Sequence, residues 1–128
     1  MRVLALDYGA ARTGVAVSDA TGTIVRPLGV VVRAASEHGL AELAAIAREH
    51  EAELIVVGLP LTLRGERGHQ AVETDAFVEA LRAVVDVPIE TYDERFTTAL
   101  AARSGGGADE DARAAAHLLE SYLERSAR

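Results

Sequence analysis

Asp7, Glu94 and Asp111 are spread over almost the whole chain, so any joint chemistry depends on a fold that gathers them. Carboxylates are hard oxygen donors, and three of them together repel one another unless a divalent cation neutralises the cluster. Two Mg²⁺ or Mn²⁺ ions held about 4 Å apart by such acids can activate water and stabilise a leaving 3′ oxygen. That chemistry is phosphodiester hydrolysis. Each acid also has an ordinary reading: Asp7 as a turn cap, Glu94 as a solvated surface acid, and Asp111 as one of three acids (Asp109, Glu110, Asp111) compensating a helix dipole.

The basic candidates for phosphate contact are Arg12 in a glycine-bounded turn, Arg64 and Arg67 in a polar loop, and Arg95 beside Glu94. Thr97 and Thr98 can hydrogen-bond the acids or a phosphate, and Asp93 can cap a helix or orient the site. Histidines 38, 50, 69 and 117 lack the spacing of a zinc site. His117 is expected on the apolar side of the last helix, and His69 near enough to the arginine loop to meet substrate.

The elements that must position these residues follow from pattern. Residues 2–7 read as a strand ending on Asp7. Gly9 and Gly14 bracket a tight connection, followed by a second strand over 14–18. Asp19-Ala20-Thr21-Gly22 reads as a hairpin turn. A third strand runs over 23–32, and Pro27, with no amide hydrogen to give a ladder, puts it at an edge or a bulge.

Ser36 is the expected N-cap of a helix over 37–50 with Leu40, Leu43, Ile46 and Ala47 inward. Leu54-Ile55-Val56-Val57 is apolar throughout, as a central strand covered on both faces should be. Gly58-Leu59-Pro60 ends it. A helix over 69–84 has Val72, Phe77, Val78 and Leu81 inward, and Val87 to Tyr92 forms the fifth strand. A further helix is expected from near Phe96 to the hinge-like run Gly105-Gly106-Gly107, then a last helix over 109–125. Ala112, Ala114, Ala115 and Ala116 would let that helix lie close to the sheet, bringing Asp111 to a metal held by strand residues. The order predicts an α/β fold in one domain over 1–128: a mixed five-stranded sheet flanked by helices, with a ribonuclease H-like sequence of elements, a different α/β sandwich being the alternative that pattern alone leaves open.

Composition sets limits. A chain of 128 residues, 49% hydrophobic, can bury one real core but lacks the second lobe an actin-like ATPase needs to enclose ATP. The absence of cysteine removes disulfides and thiolate chemistry. No apolar run approaches the ~20 residues of a membrane span, and the amino end reads as a strand rather than a signal peptide, so the cytoplasm is expected. The net charge of −7 argues against nonspecific coating of nucleic acid but leaves room for a local arginine patch.

Together these segments resemble the YqgF/RuvX family of candidate pre-16S ribosomal RNA nucleases, whose fold is like that of Holliday junction resolvases. The likeness runs from Leu4-Ala5-Leu6-Asp7-Tyr8-Gly9, with Arg12 and Gly14, through Val57-Gly58-Leu59-Pro60-Leu61 and Asp93-Glu94-Arg95 with Thr98, to Asp111 and Leu119-Glu120-Ser121-Tyr122. The resemblance implies a Mg²⁺- or Mn²⁺-dependent endonuclease with Asp7, Glu94 and Asp111 as catalytic metal ligands. It implies RNA (pre-16S rRNA, within ribosomal precursor particles) or branched DNA as the substrate. The protein would be a monomer or weak homodimer.

Two departures stand out. Thr62-Leu63-Arg64-Gly65 replaces the family's usual Asn-acid-Gly segment, and Gly105 to Glu110 replaces a longer lysine-bearing loop, removing basic contacts and adding acids. A noncatalytic ribosome-assembly or nucleic-acid-binding role is the alternative these departures raise.

Overall fold

The computed structural model describes residues 1–60, 68–94 and 108–126. Its five-stranded sheet is built from β1 (Val3–Asp7), β2 (Arg12–Ser18), β3 (Val25–Val32), β4 (Leu54–Pro60) and β5 (Ile89–Glu94), and the helices described are α1 (Glu37–Glu49), α2 (His69–Arg82) and α3 (Ala108–Ser126). The strand order is β3-β2-β1-β4-β5. The first three strands form an antiparallel meander, while β1, β4 and β5 run parallel. This is the ribonuclease H-like arrangement expected from the sequence. The segments between residues 61–67 and 95–107, including the expected helix near Phe96 and the Gly105–Gly107 run, lie outside the described residues.

Strand alternation divides the core into two layers. Leu4 and Leu6 of β1, with Val15, Val17, Ile55 and Val57, join the buried cluster that holds Leu43 of α1 and Phe77, Val78 and Leu81 of α2. Val3 and Ala5, with Ala16, Leu54 and Val56, pack instead with Ala115, Leu118 and Leu119 of α3. Successive side chains of a strand point to opposite faces, so Asp7 shares the α3 face with Val3 and Ala5. Full burial of a large aliphatic side chain is worth about 1.5–3 kcal/mol, which makes these layers the main force holding the helices to the sheet.

Local chemistry explains the boundaries. Ser36 caps α1, its Oγ accepting from the Gly39 amide at 3.0 Å. Asp19 organises the β2–β3 hairpin: Oδ1 accepts from the amides of Thr23 and Ile24, and Oδ2 accepts from the Thr21 hydroxyl at 2.7 Å. These bonds favour the ionised form and hold the Asp19 pKa down at about 2. Gly22 supplies the positive φ of 73° that the turn requires.

β3 is an edge strand of the sheet, as Pro27 predicts. Its register with β2 shifts between Val15, which faces Gly29, and Ala16, which faces Pro27, leaving Leu28 as the bulged residue. Among the described residues, no helix is long and apolar enough to cross a membrane.

Two inward assignments fail. Val72 is 60% exposed, and the buried stripe of α2 is Ala71, Thr74, Phe77, Val78 and Leu81. The hydroxyl of Thr74 is satisfied inside by donating to the Gln70 carbonyl, which lets a polar residue take the position an apolar one would hold. His117 faces solvent, its side chain 63% exposed, with Nδ1 3.5 Å from Glu120 Oε1. The buried positions of α3 are 111, 112, 114, 115, 118 and 119, and His117 falls with Arg113 and Glu120 on the outer face. Strand boundaries also shift: β2 begins at Arg12, β3 at Val25, β4 continues through Pro60, and β5 spans 89–94.

Candidate active site

Asp7 is the last residue of β1 and is only 5% exposed. In the antiparallel ladder it pairs with Gly14 of β2. Above that pair lies the first turn of α3. A Cβ placed on Gly14 would stand 1.8 Å from the Asp111 carbonyl oxygen and 3.3 Å from the Ala112 amide nitrogen. The helix backbone therefore rests directly on the glycine. The small residues of α3 are one half of this close approach, and Gly14 and Ala16 on the sheet are the other. Gly14, expected to close the turn after β1 and open the second strand, lies within β2 and also admits the helix.

The result is that Asp7 and Asp111, far apart in sequence, flank one glycine. Asp111 is 7% exposed, whereas Asp109 in the same turn is exposed and Glu110 is partly buried. Of the three competing acids, position 111 is the one brought to the sheet. Glu110 retains a shielded oxygen of its own, Oε2, with no hydrogen-bond partner.

Glu94 ends β5 and pairs with Pro60, the last residue of β4. Because β1, β4 and β5 are parallel, Asp7 and Glu94 both terminate strands at the same edge of the sheet. Ligands of open α/β sheets bind off this carboxyl edge. Asp93, one residue earlier, is exposed and pairs with Leu59. Arg64, Arg67, Arg95, Thr97 and Thr98 lie outside the described residues.

Arg12 is placed differently from expectation. It opens β2, opposite Val32, and its Nε stands 2.8 Å from Asp111 Oδ2, with 44% of the arginine side chain exposed against 10% of the aspartate's. Oδ2 is nevertheless shielded from solvent and makes no aligned hydrogen bond, so the contact is an ion pair held by charge rather than by hydrogen-bond geometry. The loop before Arg12 is tied down by Thr13: its hydroxyl donates to the Gly9 carbonyl and accepts from the Gly9 amide, both at 3.4 Å. The Arg33 amide adds a bond to the Ala11 carbonyl at 3.0 Å. Sequence pattern gave no sign of the Arg12–Asp111 pair, because it depends on the register of β2 beneath α3.

Neighbouring aromatics brace the edge rather than offer a stacking platform. Tyr8 stacks on Phe77 with ring centroids 4.4 Å apart. Its phenol pKa is raised, by burial first and by the charge of Glu73 second. On the opposite face, Tyr92 meets Tyr122 edge-on at 5.7 Å and its hydroxyl lies 2.8 Å from Ser121 Oγ, pinning β5 to α3. His69 is exposed and sits 3.1 Å from Glu73, with no described contact to the acids.

The donor set suits a hard divalent cation. Asp7 and Asp111 are buried carboxylates, and the shielded Asp111 Oδ2 meets the Arg12 guanidinium without an aligned hydrogen bond, so these are hard oxygen donors of the kind divalent cations prefer. Among the described residues no group of three acids or histidines is gathered closely enough to form a complete metal cage.

The mixed sheet, with Asp7 and Asp111 buried near its carboxyl edge, has the ribonuclease H-like fold. The family model described as RuvX, Holliday junction resolvase, matches residues 1–125, and the chain belongs to that family. A relative from Anaeromyxobacter, named a candidate pre-16S rRNA nuclease, is 41% identical over 97% of both chains. One from Desulforamulus reducens, with the same name, is 36% identical over 100% of both. One from Chloroflexus aggregans is 43% identical over 77% of this chain and 70% of its own.

Among solved structures, the Fowlpox virus resolvase bound to Holliday junction DNA superposes with a TM-score of 0.61 at 10% identity, covering 100% of both chains. Thermus thermophilus RuvC on its junction substrate gives 0.58 at 17% identity, covering 98% of this chain and 96% of the other. At those identities the likeness is one of fold.

Proposed function

We propose that this chain is a Mg²⁺- or Mn²⁺-dependent endonuclease that hydrolyses phosphodiester bonds of precursor 16S ribosomal RNA in the cytoplasm. One observation carries the reading: Asp7 and Asp111 are buried on either side of Gly14, at the sheet edge where β5 delivers Glu94. Burying acids beside one another is costly and has no structural return unless a cation or its equivalent completes the set. The names of relatives matched over nearly their full length support the choice of RNA.

In this mechanism Asp7, Glu94 and Asp111 would hold the metal. The bound cation would supply an activated water and charge stabilisation at the leaving oxygen. The chain's own residues position the substrate. Arg12, partly exposed on the rim, meets a phosphate oxygen, and Arg64, Arg67, Arg95 and Thr98 complete the phosphate-binding set. The first turn of α3, seated on Gly14 through Asp111, brings the positive end of its dipole to the same edge, which favours negative charge there. Asp93, exposed beside Glu94, orients the edge of the site.

The same site on four-way DNA junctions is the second reading, favoured by the description of the family model and by the resolvase folds. A junction enzyme cuts two strands symmetrically and works best as a twofold dimer, whereas RNA trimming needs only a monomer or weak homodimer. Matched single-stranded RNA, precursor 16S RNA in ribosomal particles, and four-way DNA substrates, each incubated with Mg²⁺ or Mn²⁺, separate the two. Cuts near the 5′ end of the 16S sequence support the RNA reading; paired symmetric cuts in the junction replace it with the resolvase.

A further inference from the structure

Arg12 sits against one of the two carboxylate oxygens through which Asp111 could hold a cation. Its Nε is 2.8 Å from Oδ2, an oxygen that is shielded from solvent, and Asp111 is fixed in place because its backbone rests on Gly14. A carboxylate so enclosed, beside a second buried acid, needs positive charge in the protein alone as much as in the loaded enzyme. The two states cannot use the same charge: a guanidinium in contact with Oδ2 repels a divalent ion approaching that oxygen.

We infer that Arg12 is a positioning residue that acts as an internal counter-ion, occupying Asp111 in the metal-free protein and yielding it when a divalent cation binds. This rests on the metal-dependent reading of the site. The arginine's location makes the exchange feasible. Its side chain is 44% exposed at the first residue of β2, which gives the guanidinium a path towards solvent, while the Asp111 backbone is seated on Gly14. Once turned outward, the guanidinium is at the rim where a phosphate oxygen is its natural partner. Metal loading and phosphate capture are thereby coupled through one side chain: each makes the other easier, as two ligands biasing one two-state element must.

The consequence runs against ordinary intuition about a site residue. Removing Arg12 should strengthen metal binding in the absence of nucleic acid, while weakening capture of substrate. Isothermal titration of wild type and Arg12→Gln with Mn²⁺ alone tests this, with Asp111→Asn as the reference for the site. We expect about tenfold tighter Mn²⁺ binding to Arg12→Gln, which is about 1.4 kcal/mol. We also expect that Mn²⁺ raises the Tm of the variant more than that of wild type.

Equal or weaker binding by a folded Arg12→Gln protein overturns the inference. Failure of wild type to bind Mn²⁺ at all overturns the metal-dependent reading beneath it, a separate outcome. Should Arg12→Gln fail to fold, the wild-type Arg12 Nε–H resonance decides instead. Saturating Mg²⁺ should shift it towards that of a solvent-exposed arginine, and an unmoved resonance with Mg²⁺ bound contradicts the exchange.

Discussion

The Asp111 carbonyl oxygen lies where a side chain on Gly14 would begin: a Cβ there would be 1.8 Å away. Backbone cannot give way as a flexible side chain can, so Gly14→Ala must lift the amino end of α3 from β2. Overpacking of this kind costs about 1–3 kcal/mol. Urea unfolding should show that loss, and the displaced Asp111 should reduce nucleic-acid cleavage by more than the stability change alone accounts for.

The neighbouring acids should separate cleanly. Asp111 is buried against the sheet, while Asp109 faces solvent one turn position away. Asp111→Asn should abolish metal-dependent cleavage. Asp109→Asn should retain cleavage and change stability by no more than about 0.5 kcal/mol, the usual range for a surface substitution. Comparable losses from both would mean that helix-end charge matters, not a particular carboxylate.

Leu119 is fully buried between α3 and the sheet. Leu119→Ala should destabilise the protein by about 2–5 kcal/mol, measured by denaturant unfolding. Since α3 carries Asp111, loosening of the helix should appear first as faster amide exchange in its opening turns.

Asp19 gives a test of pH dependence away from the acids at the sheet edge. Its folded pKa, held at about 2 by the hairpin bonds, lies below the ordinary carboxylate value of 3.8. A depressed carboxylate contributes stability above its unfolded pKa and loses it as pH falls through the folded pKa. Wild type should therefore exceed Asp19→Ala in stability at neutral pH, with the gap narrowing as pH is lowered from about 4 towards 2. Cleavage should be unaffected, because Asp19 belongs to the hairpin at the opposite end of β2 from Arg12.

Much of this organisation is readable from sequence because the local signals agree. The apolar run at 54–57, Ser36 before a helical stripe, and Pro27 in an edge strand each follow from one physical rule and recur in the structure. Asp7 and Asp111 were also accessible, since each stands at the end of a strongly patterned element. What escaped depends on three-dimensional register. Val72 was placed inward on hydrophobicity alone, but the small Ala71 and internally bonded Thr74 hold the buried stripe. His117 fails for a similar reason, falling between buried positions on α3 but on its outer face. The Arg12–Asp111 pair and the seat that Gly14 makes for α3 required knowing which strand lies under which helix.

The proposed metal-dependent phosphodiester cleavage depends most directly on Asp7. The most direct measurement compares wild type with Asp7→Asn on precursor 16S RNA and on four-way DNA, with Mn²⁺ and with chelator. Wild type should cleave only with the metal, and a folded Asp7→Asn protein should lose that cleavage. Undiminished metal-dependent cleavage by Asp7→Asn would contradict that dependence.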